Sequence, residues 1–352
     1  MVKIFLISIV FIPCLSRGEI MINFDLKSTR VVLEFLKNGI PVPDDFNNYQ
    51  GVKLLIQRNK NKEAGLTIDN FIDRLKQCKT GICEDAPGTR LLTLKDKLDK
   101  VIEFCNDFEK KKESIAQEAV NTLSEHMPRI DFNFNYDVHL IAGGNTDAFV
   151  EIVDGKPHML LELSEMIQED NSKTWINLNA YINHELWHSI FREYINKHWT
   201  LKAPDEGSKD FNYNMIFSML DEGYGHYMSL LSYTGSKKNV YKNLKSKATK
   251  WFSDGFFEMF NKNIIKFIKD NDQIKKQEML DASCTGNFWE KWGAMTGDLV
   301  ISTIDMKQGR QKLLSLFEKE PFSIWLAYQE IADKKYKLNN TFIQLIEDAS
   351  KK

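Results

Sequence analysis

The sequence predicts an α+β chain, mostly helical, with a small antiparallel sheet just ahead of one long, buried helix. Three patterns carry this reading. From Trp175 to His198 there is no Pro or Gly, and Ile182, Leu186, Ile190 and Tyr194 recur every four residues, the apolar stripe of a helix packed in a core. Just before it, Ile130 to Ile141 alternates through Phe132, Phe134, Tyr136, Val138 and Leu140, the period of a strand. Most of the remaining chain shows helical spacing broken by Gly and Pro.

In chain order, Met1-Val2-Lys3 is a short basic start, followed by an apolar run from Ile4 to Ile12. That run is too short to span a bilayer and suits a secretory signal over residues 1–18, cleaved around Ser16 to Gly18. Cys14 opens a lipid-anchor reading, which Pro13 directly before it fits poorly. No later stretch is apolar enough for an integral membrane segment, so the expected location is extracytoplasmic, secreted or periplasmic. Residues 19–130 read as a helical N-terminal region. Its segments are Phe24 to Leu36, Val52 to Gln57 as helix or short strand, a helix from Leu66 to about Lys76, and a long helix from Leu91 to Glu125 that Pro128 ends. The strands follow, with Asp154-Gly155 as the turn of a hairpin between Phe149–Ile152 and His158–Leu163. Two helices come next, Trp175 to His198 and Tyr213 to Tyr233, linked through a turn at Pro204-Asp205-Glu206-Gly207. Residues 236–352 are read as C-terminal helices over Trp251 to Lys269, Phe288 to Asp305, Gln308 to Lys319 and Ser323 to Asp333, whose aromatics are expected in the core.

With 352 residues, 43% hydrophobic and 27% charged, the chain has ample material for a large core. A net charge of −2 gives no electrostatic case for a nucleic-acid partner or an anionic membrane surface. Cys78, Cys83, Cys105 and Cys284 form an even set beyond the leader. Cys78 and Cys83 bracket a turn-like loop that a disulfide would close, and free thiols are the equal alternative.

The chemistry centres on His184-Glu185-Leu186-Trp187-His188, an H-E-x-x-H match. Residues i and i+4 share a helix face, so His184 and His188 can address one ion. Glu185 falls beside it, able to take a proton from an activated water. A catalytic zinc needs a third protein ligand. The candidate is Glu222 in Asp221-Glu222-Gly223-Tyr224-Gly225-His226, far enough downstream for a second helix. Gly223 and Gly225, costly in a helix, suggest close approach of another backbone.

H-E-x-x-H followed by a helical Glu222-Gly223 resembles the gluzincin metallopeptidases, and is most similar to poorly characterised bacterial families of zinc-dependent peptidases with an Asp/Glu-Gly third-ligand motif. Leu140 to Phe149, with Gly143-Gly144, is similar to their strand before the zinc helix. Trp292 to Met295, Ile304, Gly309-Arg310, Phe322 and Tyr328 are similar to their C-terminal helices. The resemblance extends over roughly residues 20–335. It implies a zincin-like core over 131–235, Zn2+ held by His184, His188 and Glu222, Glu185 as general base, and a peptide or protein substrate. It also makes the Asn145 to Glu151 region the candidate edge strand for that substrate, with an ordinary structural hairpin as the alternative.

Tyr224, His226 and Tyr227 are the candidates to stabilise the oxyanion formed on hydrolysis. Three roles are open to His226: that donor, a partner to a ligand histidine, or a ligand in place of Glu222. Asp221 points about 100° away from Glu222, which argues for a solvent or capping role. His126, His139, His158 and His198 lack ligand spacing and are expected at the surface or hydrogen-bonded. Against the hydrolase stands a non-catalytic peptide- or partner-binding protein on the same fold, which would have no use for Glu185.

Overall fold

A computed structural model describes residues 18–60, 65–145, 148–204, 210–248 and 255–351. The leader reading over residues 1–17, including Cys14, and the turn residues 205–207 lie outside these, as does the start at Trp251. Among the described residues no helix is long and apolar enough to cross a membrane.

The chain opens with β1 (Ile20–Asp25), so the stretch from Phe24 is not wholly helical. Ile20, Ile22 and Phe24 alternate, and the helical stripe begins only at Leu26. Then come α1 (Lys27–Asn38), α2 (Gln50–Lys60) and α3 (Ile68–Lys79). Thr67 caps α3 through Asn70 N–H. A disulfide joins Cys78 to Cys83 just past it. Two short strands, β2 (Asp85–Ala86) and β3 (Thr89–Arg90), lead into α4 (Leu91–Asp96) and the 29-residue α5 (Leu98–His126).

The main sheet has four strands in the order β1-β4-β6-β5, where β4 is Phe134–Ile141, β5 is Ala148–Val153 and β6 is Lys156–Glu162. Only the β5–β6 hairpin is antiparallel, so the sheet is mixed rather than antiparallel. Its turn is Asp154-Gly155, both residues at positive φ, as a tight two-residue hairpin requires. The second hairpin strand, β6, inserts beside β4 in parallel, and β1 adds in parallel to the other side of β4. The hairpin was readable locally; the two parallel pairings join segments distant in sequence and leave no local mark. The central strands β4 and β6 are buried, while β5 stands at one edge with Ile152 65% exposed.

After a short turn of helix, α6 (Leu163–Met166), the 28-residue α7 (Asn171–His198) packs beside β5 and β6, with α5 against it. Asp170 caps its first turn. Antiparallel hydrophobic packing brings α8 (Phe211–Thr234) onto α7. Behind α8 lies α12 (Trp292–Gln308), buried on every side from Trp292 to Asp305, polar residues such as Asp298 and Asp305 included. Around these two sit α9 (Lys237–Lys247), α10 (Phe256–Lys269), α11 (Gln273–Cys284), α13 (Arg310–Phe317), α14 (Pro321–Ile331) and α15 (Asn340–Ala349). Trp292, Trp325, Phe256 and Phe260 are all in this core.

The glycines of α8 set the depth of this packing. A Cβ on Gly223 would lie 2.5 Å from the backbone of Gly297 on α12, so two helix backbones touch there. A Cβ on Gly225 would instead lie 2.9 Å from His184 Cε1, so this glycine makes room for a side chain of α7.

Candidate metal centre

The α7–α8 contact brings His184, His188 and Glu222 together, with one potential ligand atom from each all within 4.8 Å of one another. The two Nε2 atoms lie 3.0 Å apart. Glu222 Oε2 is 3.7 Å from His184 Nε2, and Oε1 is 3.7 Å from His188 Nε2. Two imidazole nitrogens and a carboxylate aimed at one point form the donor set of a catalytic zinc, with one side left open to the cleft. These residues fit the ion.

Each ring is held by its other nitrogen. His188 Nδ1 donates to Asp221 Oδ1 at 2.7 Å, which leaves Nε2 as the ligand atom. Asp221 is only 2% exposed and also accepts from Arg192 Nε at 3.1 Å. Its expected solvent or capping role is therefore wrong. The 100° between residues 221 and 222 is bridged by the ring itself, whose two nitrogens face opposite neighbours on α8. His184 Nδ1 lies 3.3 Å from Ser229 Oγ.

The charges follow from burial and neighbours. Burial pulls the His188 imidazole down, but the Asp221 and Glu222 carboxylates outweigh it and hold it up at about 9. Burial pushes the Asp221 carboxyl up, yet His188 and Arg192 keep it below the usual carboxylate range. Burial, with the neighbouring His188 and His226, drives His184 well below the ordinary imidazole value. Glu185 is raised to about 7, chiefly by burial, with His188 opposing.

Glu185 lines the same cleft as the three clustered residues, a cavity of about 740 Å3. One wall is the edge strand β5, through Ala148, Phe149, Val150 and Ile152. The described part of the expected edge is thus beside the cluster, and Thr146 and Asp147 lie outside the described residues. Cys284, Thr285, Gly286 and Lys291 also line the cleft.

The three oxyanion candidates fare differently. Tyr224 is fully buried, stacks on Trp187 with ring centroids 3.7 Å apart, and donates to the His126 carbonyl at 2.6 Å. Tyr227 donates to Asp305 in a buried network with Arg310. Both point away from the cleft, because residues two and five places beyond Glu222 turn toward the far side of α8. His226 does sit at the cluster: its ring packs edge-on against His184, centroids 4.9 Å apart, and its Nε2 is 3.9 Å from Glu222 Oε2. It is 3% exposed and does not line the cleft, so direct contact with substrate is not its role.

The remaining histidines are hydrogen-bonded or ion-paired. His139 and His158 face each other at 3.1 Å under Asp25, both buried rather than at the surface. His126 bonds Thr122 O and His198 approaches Asp131. Sequence spacing missed Lys291 and Arg192 altogether, since neither lies in a motif.

Residues 33–337 match the model of the family described as "Putative zinc dependent peptidase (DUF5700)". Neither the curated proteins nor the solved structures include a match.

Proposed function

Since the chain belongs to this zinc-dependent peptidase family, we propose that it hydrolyses peptide bonds at the His184–His188–Glu222 centre, with Glu185 as general base. The observation that carries the reading is convergence: three potential ligand atoms close together, and a further carboxyl, that of Glu185, raised to about 7, on the wall of the same cleft. Zinc held there supplies Lewis-acid polarisation of a carbonyl and makes water acidic enough to react near neutral pH. Glu185 takes the proton of the attacking water as the new C–O bond forms. It returns that proton to the amide nitrogen as the C–N bond breaks. A carboxyl poised near 7 is suited to both transfers. The free ladder of β5 offers an extended peptide main-chain partners, and the apolar side chains around Phe149 offer it a surface to pack on.

An extracytoplasmic location belongs to the same proposal. The Cys78–Cys83 bridge supports it, since such bonds persist in oxidising compartments.

The test is Glu185→Gln against wild type on a proteome-derived peptide library read by mass spectrometry, with zinc counted in both proteins. Retained zinc with cleavage lowered by about 10²–10⁴-fold is expected. Equal cleavage would overturn the assignment of the base, and absence of any cleavage by zinc-loaded wild type would leave a binding protein.

A further inference from the structure

We propose that the Lys291 ammonium stabilises the oxyanion of the tetrahedral intermediate, and that His226 positions it there; this rests on the peptidase reading above. Lys291 lines the cleft together with Glu185, His184, His188 and Glu222. Its Nζ donates to His226 Nε2 at 3.4 Å, and that nitrogen is 3.9 Å from Glu222 Oε2. The ammonium therefore stands one imidazole edge from a metal ligand. It shares the cleft with Glu185, the carboxyl that must face the attacking water.

The alternatives in the cleft are already engaged. Arg192 is held on Asp221 by two nitrogens, on the outer side of His188. Arg58 lies over the Phe149 ring near Glu151, at the β5 wall. Lys291 makes no ion pair with a carboxylate among the described residues, and its hydrogen bond goes to a neutral acceptor. An ammonium can only donate, so the His226 nitrogen facing it carries no proton. That partner fixes the direction of the lysine without cancelling its charge, which is what an oxyanion site requires.

The backbone supports the placement. Lys291 immediately precedes α12, the most buried helix of the molecule, which is locked to α8 by the Gly223–Gly297 approach. Glu222, Gly223 and His226 are on α8 itself. The metal ligand and the positioning histidine thus sit on α8, and the lysine at the entry to the helix packed against it. In the reaction, the carbonyl π electrons move onto oxygen as water adds, and they return as the C–N bond breaks. Lys291 donates hydrogen bonds throughout and keeps its protons.

The experiment uses zinc-loaded wild type, Lys291→Met, Lys291→Arg and His226→Phe, with zinc content measured in each. Two probes are titrated by calorimetry: N-phosphoryl-leucyl-tryptophan, which carries a tetrahedral anion, and a leucyl-tryptophan hydroxamate, which chelates zinc without one. Lys291→Met should weaken the phosphoryl probe about 10²-fold while leaving the hydroxamate within a few fold. Lys291→Arg should restore most of the loss, and His226→Phe should fall between. On any peptide that wild type cleaves, Lys291→Met should lower kcat about 10²–10³-fold with KM nearly unchanged. Equal phosphoryl binding in wild type and Lys291→Met would overturn the proposal, as would equal weakening of both probes. Wild type that binds both probes but cleaves no peptide would overturn the peptidase reading alone.

Discussion

Asp221 shows how much one buried carboxylate does for its neighbour. It holds the His188 ring by Nδ1, so Nε2 alone is presented to a metal, and Arg192 holds Asp221 in turn. Asp221→Asn should weaken zinc binding about 10–100-fold, measured by competition with a chromophoric chelator, with the fold retained by circular dichroism. An unchanged affinity would mean that the helix alone orients the ring. At this scale the sequence was partly legible. His184, Glu185, His188 and Glu222 were readable because i, i+4 spacing and a motif constrain them. Asp221 was not, because helical angle gives direction from one axis and says nothing of a ring lodged between two side chains. Tyr224 was misplaced for the same reason: its neighbour Trp187, on another helix, decides which way it faces.

Among the elements, α8 carries the most instructions per residue. Two glycines in a helix cost about 1 kcal/mol each relative to Ala, and here each has a separate use. Gly223→Ala forces a Cβ against the Gly297 backbone and should destabilise the protein by at least about 2 kcal/mol in urea unfolding. Gly225→Ala presses instead on the His184 ring, so it should lower zinc affinity about tenfold or more at a much smaller cost in stability. If both variants behaved alike, the division between packing and site would fail. The close approach was expected from the glycines, but its object at Gly225 is a ligand side chain. The sheet was less legible than the helices. Its hairpin announced itself through Asp154-Gly155, whereas β1 had three alternating residues and a partner far along the chain.

For the whole molecule, stability should depend on pH through a group outside the centre. His126 is buried at the end of α5, and burial, aided by the Arg310 charge, pulls its imidazole down to about 4. A histidine neutral in the fold but free to protonate when unfolded contributes stability that is complete above about 6.5 and is lost as pH falls toward 4. Between pH 7 and pH 5, wild type should lose about 2 kcal/mol more than His126→Gln in urea unfolding. Parallel losses would remove His126 as the cause. The mostly helical α+β class was legible from periodicity alone, as was the placement of the sheet ahead of α7. The mixed sheet was not, because strand direction is decided by tertiary contacts.

The parallel pairing of β1 with β4 also governs when the molecule can fold. Asn23 and Asp137, hydrogen-bonded across it, are 114 residues apart in sequence. The loop between them must close before the pairing returns any energy, and contacts of such separation form slowly. Until residue 141 has left the ribosome, the first strand has no partner. Helices α1 to α5 can form from local contacts in that interval, while the cleft cannot. Most of the cleft lining lies later still, from Ala148 to Lys291, so the cleft is complete only once most of the chain has been made.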